Sequence, residues 1–431
     1  LSIAVGFGSP EVPPSTANAA WRMRFSLGIN YWPRRSAMHM WREFDPGEIA
    51  EDMARLADLG FDSVRFFLTW ADFQPDRFRV DRTMLARLER VLELIAATGL
   101  RAMPTLFCGH MSGVNWLPSW TLDPTCINGR FRTITELGES PYGVGDIYTG
   151  GLLEAQRLHA REAGAALRGH PAVIAWDLGN EFSNIREPAS PADAREWSKR
   201  LTDDLQQASG HPVTGGMHGE DLTRDRNIRP STIAEPWAFA TMHGYSVYSD
   251  FSRGRMDPDV VPFLAELAAS LSGKPVLFSE FGNPTCPPGK TSPYDRVPLP
   301  GEPALPDVAP DDPLRAAYAC LNESEMAVYA REVLERLHAQ GRLGAYWWCW
   351  ADYQEALRST PPFDRAPHEL TFGIVRSDGT AKPVATALSV FAREARSVVE
   401  PNDPVIFEPA YYAGIPRAVH DAYARFLEFH L

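Results

Sequence analysis

The chain has 431 residues, 44% hydrophobic and 23% charged, with a formal net charge of −13. That length exceeds one small domain and suits a large α/β barrel with long loops, and the composition is globular. The negative balance disfavours nucleic acid and anionic membrane as partners and suits a neutral substrate, and no apolar run reaches the roughly 20 residues that span a bilayer.

The five cysteines, Cys108, Cys126, Cys286, Cys320 and Cys349, are odd in number, widely spaced and without a C-x-x-C. They support neither a structural zinc site nor a disulfide framework, so the expectation is reduced thiols in a cytoplasmic protein, with secretion as the alternative. Residues 1–20 read as an N-terminal extension: a short apolar stretch with no basic segment before it, then Ala17 and Ala19 spaced as at a signal-peptidase site. They stay outside the fold argument.

From residue 25 onward, short apolar runs alternate with helical patterns. A first strand is predicted at 25–31. Ile49, Met53, Leu56 and Leu59 recur at helical spacing over 48–59, and Gly60 ends the run. A strand at 62–68 leads to a helix over 83–98, with Leu85, Leu88, Leu92 and Ile95 inward and Gly99 as its stop. The third strand, 101–107, opens a long loop to about 150, followed by a helix over 152–167. A buried strand at 172–176 then runs into Asn180 and Glu181, before a helix over 191–208. The fifth strand, 213–217, is short, with a helical segment in the 220s and 230s. The sixth unit is a strand at 239–245 and a helix over 258–271. The seventh strand, 275–281, is followed by a proline-rich loop to about 321. Asn322 with Glu325 resembles a capping box and starts a helix that runs to 340. The last pair is a strand at 343–350 and a helix over 381–398.

Eight strand-helix pairs in this order, the fifth weak, predict an α/β fold: a (β/α)8 TIM barrel over residues 21–400. Its long loops follow strands three, seven and eight, all on the C-terminal rim. No G-x-G-x-x-G follows an early strand, so a doubly wound dinucleotide-binding sheet is disfavoured. Residues 401–431 predict a strand-helix extension, with the strand at 404–407 and the helix at about 417–429.

No Walker A loop, H-E-x-x-H or G-x-S-x-G occurs, and the first strand has no H-x-H. His110, His218 and His243 are scattered singly, which favours structural roles; no metal and no cofactor are expected. Glu181 at the end of strand four and Glu280 at the end of strand seven differ. A carboxylate ending an apolar strand is costly to bury without a use, and these strand ends face each other across a barrel mouth. Glycoside cleavage with retention needs two carboxyls roughly 5–5.5 Å apart, one protonated and one ionised, their pKa values pushed apart by environment. Arg65, near the end of strand two, can hold a carboxylate ionised. Tyr245, at the end of strand six beside strand seven, can donate to the same carboxylate, and His243 shares its face by alternation. Asp177 is expected to be structural.

These residues form an ordered set: Gly28-x-Asn30, Val64-Arg65 with Trp70 and Gln74-Pro75 after it, Asn180-Glu181, His243-x-Tyr245, Glu280-Phe281-Gly282 and the Trp-rich strand eight. In this order and at barrel spacing, over about residues 25–398, the chain resembles the clan A glycoside hydrolases, family 5 in particular. The resemblance implies a retaining mechanism with Glu181 as acid/base, kept neutral by burial, and Glu280 as nucleophile, kept charged and oriented by Arg65 and Tyr245. It implies that Asn180 binds the sugar 2-hydroxyl, and that His110 and Trp350 line the subsite of the cleaved sugar. Trp348 shares a face with Trp350, but Trp350 lies nearer the strand end and is preferred. Trp116 and Trp32, in the loops after strands three and one, are further candidates for sugar contact.

The stretches around Asn30-Tyr31-Trp32-Pro33 and Trp70 look like the mannan-active side of family 5. Long loops three and seven would wall off a pocket, so the expected partner is a carbohydrate and the expected activity that of a β-mannosidase-like exo-enzyme. An endo-β-mannanase comes next, then a β-glucosidase or β-galactosidase. The rivals of another class are a non-catalytic carbohydrate-binding barrel and a metal-dependent hydrolase using the histidines. Oligomeric state is left open.

Overall fold

The computed structural model describes residues 24–127, 129–286, 320–406 and 408–430. The extension at 1–20 and most of the proline-rich loop lie outside the described residues.

Eight parallel strands close a barrel in which each strand pairs with its sequence neighbours and the first pairs with the last. They are β1 (Ser26–Tyr31), β2 (Ser63–Thr69), β3 (Arg101–Cys108), β4 (Trp176–Asn180), β5 (Val213–His218), β6 (Ala240–His243), β7 (Val276–Phe281) and β8 (Gly344–Trp347). The barrel floor is a separate apolar cluster that includes Met103, Ile174, Phe239, Leu277 and Tyr346. Gly28 is required there, because a Cβ would lie 2.2 Å from the Tyr346 ring.

Helices α1 (Pro46–Leu59), α2 (Arg82–Ala97), α3 (Gly150–Ala166), α4 (Pro191–Ser209), α5 (Val260–Ser272), α6 (Glu323–Ala339) and α7 (Pro383–Arg393) surround it. Several of their starts follow from capping chemistry. Asp45 accepts from the Gly47 and Glu48 amides, Asp81 from those of Thr83 and Met84, and the Asn322–Glu325 capping box forms as expected. Each such cap contributes about 1 kcal/mol. The weak fifth unit is real: only the short helices Gly219–Thr223 and Pro230–Ile233 follow β5. The loop after β3 is not structureless. It folds into a four-stranded and a two-stranded sheet, which present His110 and Phe131 to the barrel mouth.

Three expectations need correction. The strand expected at 172–176 is shifted, since β4 begins at Trp176 and carries pairing through to Asn180. No strand forms at 404–406, where Val405 is fully exposed. A closed barrel offers no free edge to pair with. The extension instead holds two helices, α8 (Glu408–Ala413) and α9 (Arg417–His430). Finally, Cys286 and Cys320 are joined by a disulfide. The Cys286 amide donates to the Leu321 carbonyl and the Leu321 amide to the Pro284 carbonyl, at 2.8 and 2.9 Å, which brings the two cysteines side by side. Cys108, Cys126 and Cys349 are free thiols.

Candidate active site

Glu181 follows β4 with φ +48° and ψ +47°, in the left-handed region. That conformation costs a residue with a Cβ roughly 1–2 kcal/mol. It is what lets Asn180 and Glu181 both face the barrel mouth, where regular alternation would point them apart. The Glu181 amide donates to the Gly216 carbonyl at 3.0 Å. Gly216 is required by this close approach, as a Cβ would lie 2.0 Å from the Gly179 carbonyl oxygen.

Arg65 is fully buried, and its guanidinium organises one half of the site. Nη1 donates to Glu280 Oε2 and to Asn30 Oδ1, each at 3.0 Å, and Nη2 donates to Asn180 Oδ1 at 2.9 Å. Nε donates to Asp177 Oδ2 at 2.9 Å, and Thr105 donates to the same oxygen. Asp177 thus has the structural role expected of it. The other oxygen of Glu280 accepts a short hydrogen bond from the Tyr245 hydroxyl. Burial and the Glu280 charge push the Tyr245 phenol well up, so it remains a donor.

The other half is a ring of donors around Glu181. Oε1 lies 3.2 Å from His243 Nδ1, and Oε2 accepts from Asn184 Nδ2 at 3.0 Å. His110 Nε2 and His218 Nδ1 stand 3.8 and 4.0 Å from Oε2. Asn115 fixes the His110 tautomer. Its amide nitrogen donates to the Asn184 carbonyl, so its oxygen accepts from His110 Nδ1 at 2.7 Å. Burial lowers the pKa of His110, and the Glu181 charge pulls against it. His218 is fixed by a second relay: Ser183 donates to Asp221 at 2.6 Å and therefore accepts from His218 Nε2 at 2.9 Å.

An oxygen of Glu181, one of Glu280 and a nitrogen of His243 lie within 4.8 Å of one another. The two carboxyls titrate as a pair. Burial raises Glu280 above the usual carboxylate value; His243, Arg65 and Tyr245 pull against it, and the Glu181 charge adds to it. Burial also works to raise Glu181, but His218, His243 and His110 outweigh it and hold it down. This reverses the expectation of a Glu181 neutralised by burial. The cause is the set of imidazoles around Glu181, which strand-end position alone does not reveal.

A cleft of about 600 Å³ opens over this pair. Asn180, Glu181, His110, His243, Tyr245 and Glu280 line it, and Arg65 lies directly behind, so the structure brings together every one of these predicted residues. The aromatic candidates fare differently. Trp348 lines the cleft and Trp350 does not: Trp350 is fully buried with Arg55 over its ring at 5.3 Å. β8 ends at Trp347, so alternation cannot be extended to Trp348 and Trp350. Trp32 is also buried, stacked on Phe67 at 5.2 Å. Trp116 packs against His39 outside the cleft. His218, Asn184 and Glu369 were missed as lining residues. Of these, His218 sits at a strand end, the same signal that marked the glutamates.

Among the described residues, Glu181, His243 and Glu280 are the grouping with metal-ligand spacing. Arg65 already supplies a positive charge 3.0 Å from Glu280, and a cation there would have to compete with it.

No protein-family model matches the chain, and no curated protein does. Solved structures match closely in fold. An exo-beta-1,4-mannosidase, Op5Man5 from Opitutaceae bacterium strain TAV5, is 25% identical over 86% of this chain, with a TM-score of 0.67. The match spans 60% of that enzyme's length. A GH5_18 variant from Streptomyces cattleya, in complex with Manb1-4GlcNAc, is 20% identical with a TM-score of 0.72, covering 93% of this chain and 90% of that one. A GH5_18 structure from Bifidobacterium longum subsp. infantis is 21% identical with a TM-score of 0.68, covering 88% and 80%. In its fold, and in the order of its site residues along that fold, the chain resembles the clan A glycoside hydrolases of family 5, on their mannosidase side.

Proposed function

We propose that the protein is a retaining β-glycosidase acting by double displacement, with Glu181 as acid/base and Glu280 as nucleophile. The observation that carries this is the pair of strand-end carboxyls with oxygens within 4.8 Å in one cleft. Retaining pairs stand roughly 5–5.5 Å apart, and inverting pairs roughly 6.5–9.5 Å to admit a water. In the singly protonated form of the pair that carries its proton on Glu181, that proton goes to the glycosidic oxygen as ionised Glu280 attacks the anomeric carbon. The bond to the aglycone breaks, the aglycone leaves as a neutral alcohol, and a glycosyl ester remains on Glu280. A water that loses its proton to Glu181 then attacks the same carbon and frees Glu280. Arg65 and Tyr245 stabilise the Glu280 carboxylate before attack and after release. Asn180, held by Arg65 and by the His110 carbonyl, has an amide hydrogen left for the sugar 2-hydroxyl.

The substrate we favour is a terminal β-mannoside, cleaved in exo fashion. The support is the described activity of the 25%-identical structure, the Manb1-4GlcNAc bound in another, and a cleft walled by the loop after β3. An endo-β-mannanase, then a β-glucosidase or β-galactosidase, are the next readings. The Cys286–Cys320 bond favours a secreted protein over a cytoplasmic one.

The test is turnover of aryl β-mannosides followed by proton NMR. The first product should be the β-anomer, and turnover should survive a chelator. Glu280→Ala should lose several orders of magnitude, with azide rescue giving the inverted glycosyl azide. Glu181→Ala should be least impaired on substrates with good leaving groups. A first-formed α-anomer, or full activity in Glu280→Ala, would sink the assignment; loss of activity with chelator would point to the metal-dependent rival.

A further inference from the structure

Ile415 and Pro416, in the turn between α8 and α9, line the same cleft as the two glutamates. The extension is thus part of the site wall as well as packing on the barrel exterior. Its anchors are specific. Tyr411 and Tyr412 donate to the Leu222 and Asp221 carbonyls at 2.9 and 2.8 Å, both in the short helix after β5. Glu408 accepts from the Ser231 amide and hydroxyl. Tyr423 donates to Asp257 at 2.6 Å, and its ring packs on Phe251 and Phe263. These anchors tie both helices to the segments after β5 and β6.

That placement identifies which end of the substrate the turn meets. An acid/base must reach the glycosidic oxygen, so the leaving group lies on the Glu181 side. The elements on that side are the ends of β4 and β5 and the loops after them, with Asn184, His218, Glu220 and Arg224 lining the cleft. The Tyr411 and Tyr412 bonds hold the Ile415–Pro416 turn against this same region. Ile415 is half-buried and Pro416 exposed, so the turn offers the cleft an aliphatic face, suited to the C–H face of a sugar ring or to an aryl group.

We infer that Ile415 and Pro416 form a wall of the leaving-group subsite, and that the C-terminal helix pair selects the aglycone. The class selected is an uncharged sugar or aryl group with an apolar face. This rests on the reading of the cleft as a retaining β-glycosidase.

The test compares β-1,4-mannobiose with β-mannosyl fluoride, whose leaving group is too small to reach the turn. Ile415→Trp narrows the subsite; Ile415→Ala removes contact. The expected result for Ile415→Trp is a fall of tenfold or more in kcat/KM for mannobiose relative to the fluoride, carried by KM. For Ile415→Ala a fall of about threefold in the same ratio is expected, and this variant decides the matter if Ile415→Trp does not fold. An unchanged ratio in the folded variants would overturn the inference while leaving the glycosidase reading intact. A wild type that cleaves neither substrate would overturn the β-mannosidase reading and the inference with it.

Discussion

The Arg65 guanidinium lies 2.7 Å from Asp177 and 3.0 Å from Glu280, so one fully buried cation faces two buried carboxylates. Removing one partner of such a buried set leaves uncompensated charge, at a cost of roughly 3–5 kcal/mol. Arg65→Met should therefore unfold at markedly lower urea and lose activity. Arg65→Lys keeps the charge but has no planar fork to serve Asp177, Glu280, Asn30 and Asn180 together. It should retain more stability than Arg65→Met and still lose most of kcat/KM. Urea titration beside aryl-mannoside kinetics checks both. A fully active Arg65→Lys would mean that the fork does not position Glu280.

His218 offers a test of how the site holds its proton. Its Nδ1 faces Glu181 at 4.0 Å, and Ser183, Asp221 and Glu220 are its other polar or charged neighbours, with His110 also close. His218 is among the groups that hold Glu181 below its ordinary value. The alkaline limb of kcat/KM reports loss of the donor proton in the free enzyme. In His218→Asn that pull is gone, Glu181 keeps its proton to higher pH, and the alkaline limb should move up. A limb that stays in place, or moves down, would show that His218 does not bias Glu181.

Much of this arrangement was legible in the chain, for identifiable reasons. The barrel follows from periodicity such as Leu85, Leu88, Leu92 and Ile95 on one helix face and from caps such as Asn322 with Glu325. The glutamate pair follows from carboxylates ending apolar strands. What was not legible depends on chain direction after a strand ends, or on contacts between distant segments. Trp348 and Trp350 lie beyond the end of β8, where alternation has no force. The Cys286–Cys320 pairing depends on the backbone contact of Thr285 with Leu321. The Ile415–Pro416 turn reaches the cleft through contacts between distant segments, such as those of Tyr411 and Tyr412 with carbonyls nearly two hundred residues earlier.

The disulfide closes a segment with a sequence separation of 34. In the chain-entropy account, a loop of that length stabilises by about 4 kcal/mol. Paired Cys286→Ser and Cys320→Ser substitutions should lower the Tm by several degrees, and wild type in reductant should approach the double variant. Cys108 and Cys349 are free, buried thiols, so reductant acts on the Cys286–Cys320 bond. Equal Tm values with and without reductant, in protein whose bond is shown to be broken, would mean the bond contributes nothing to stability.

Asp52, on α1, predicts an unusual pH dependence. Burial pushes its carboxyl up to about 7, against a hydrogen bond from the Tyr31 hydroxyl that lowers it, while Glu48 adds to the rise. The unfolded chain releases the same proton near pH 4. Between these values the native state binds more protons than the unfolded state, so stability falls as pH rises through the window, and the loss is complete above about pH 7. Asp52→Asn keeps an oxygen to accept from Tyr31 and cannot ionise. Its Tm should exceed that of wild type at pH 8, and the gap should shrink steadily toward pH 5. Thermal unfolding of both proteins across that range decides it. A gap independent of pH would show that Asp52 is not the group responsible.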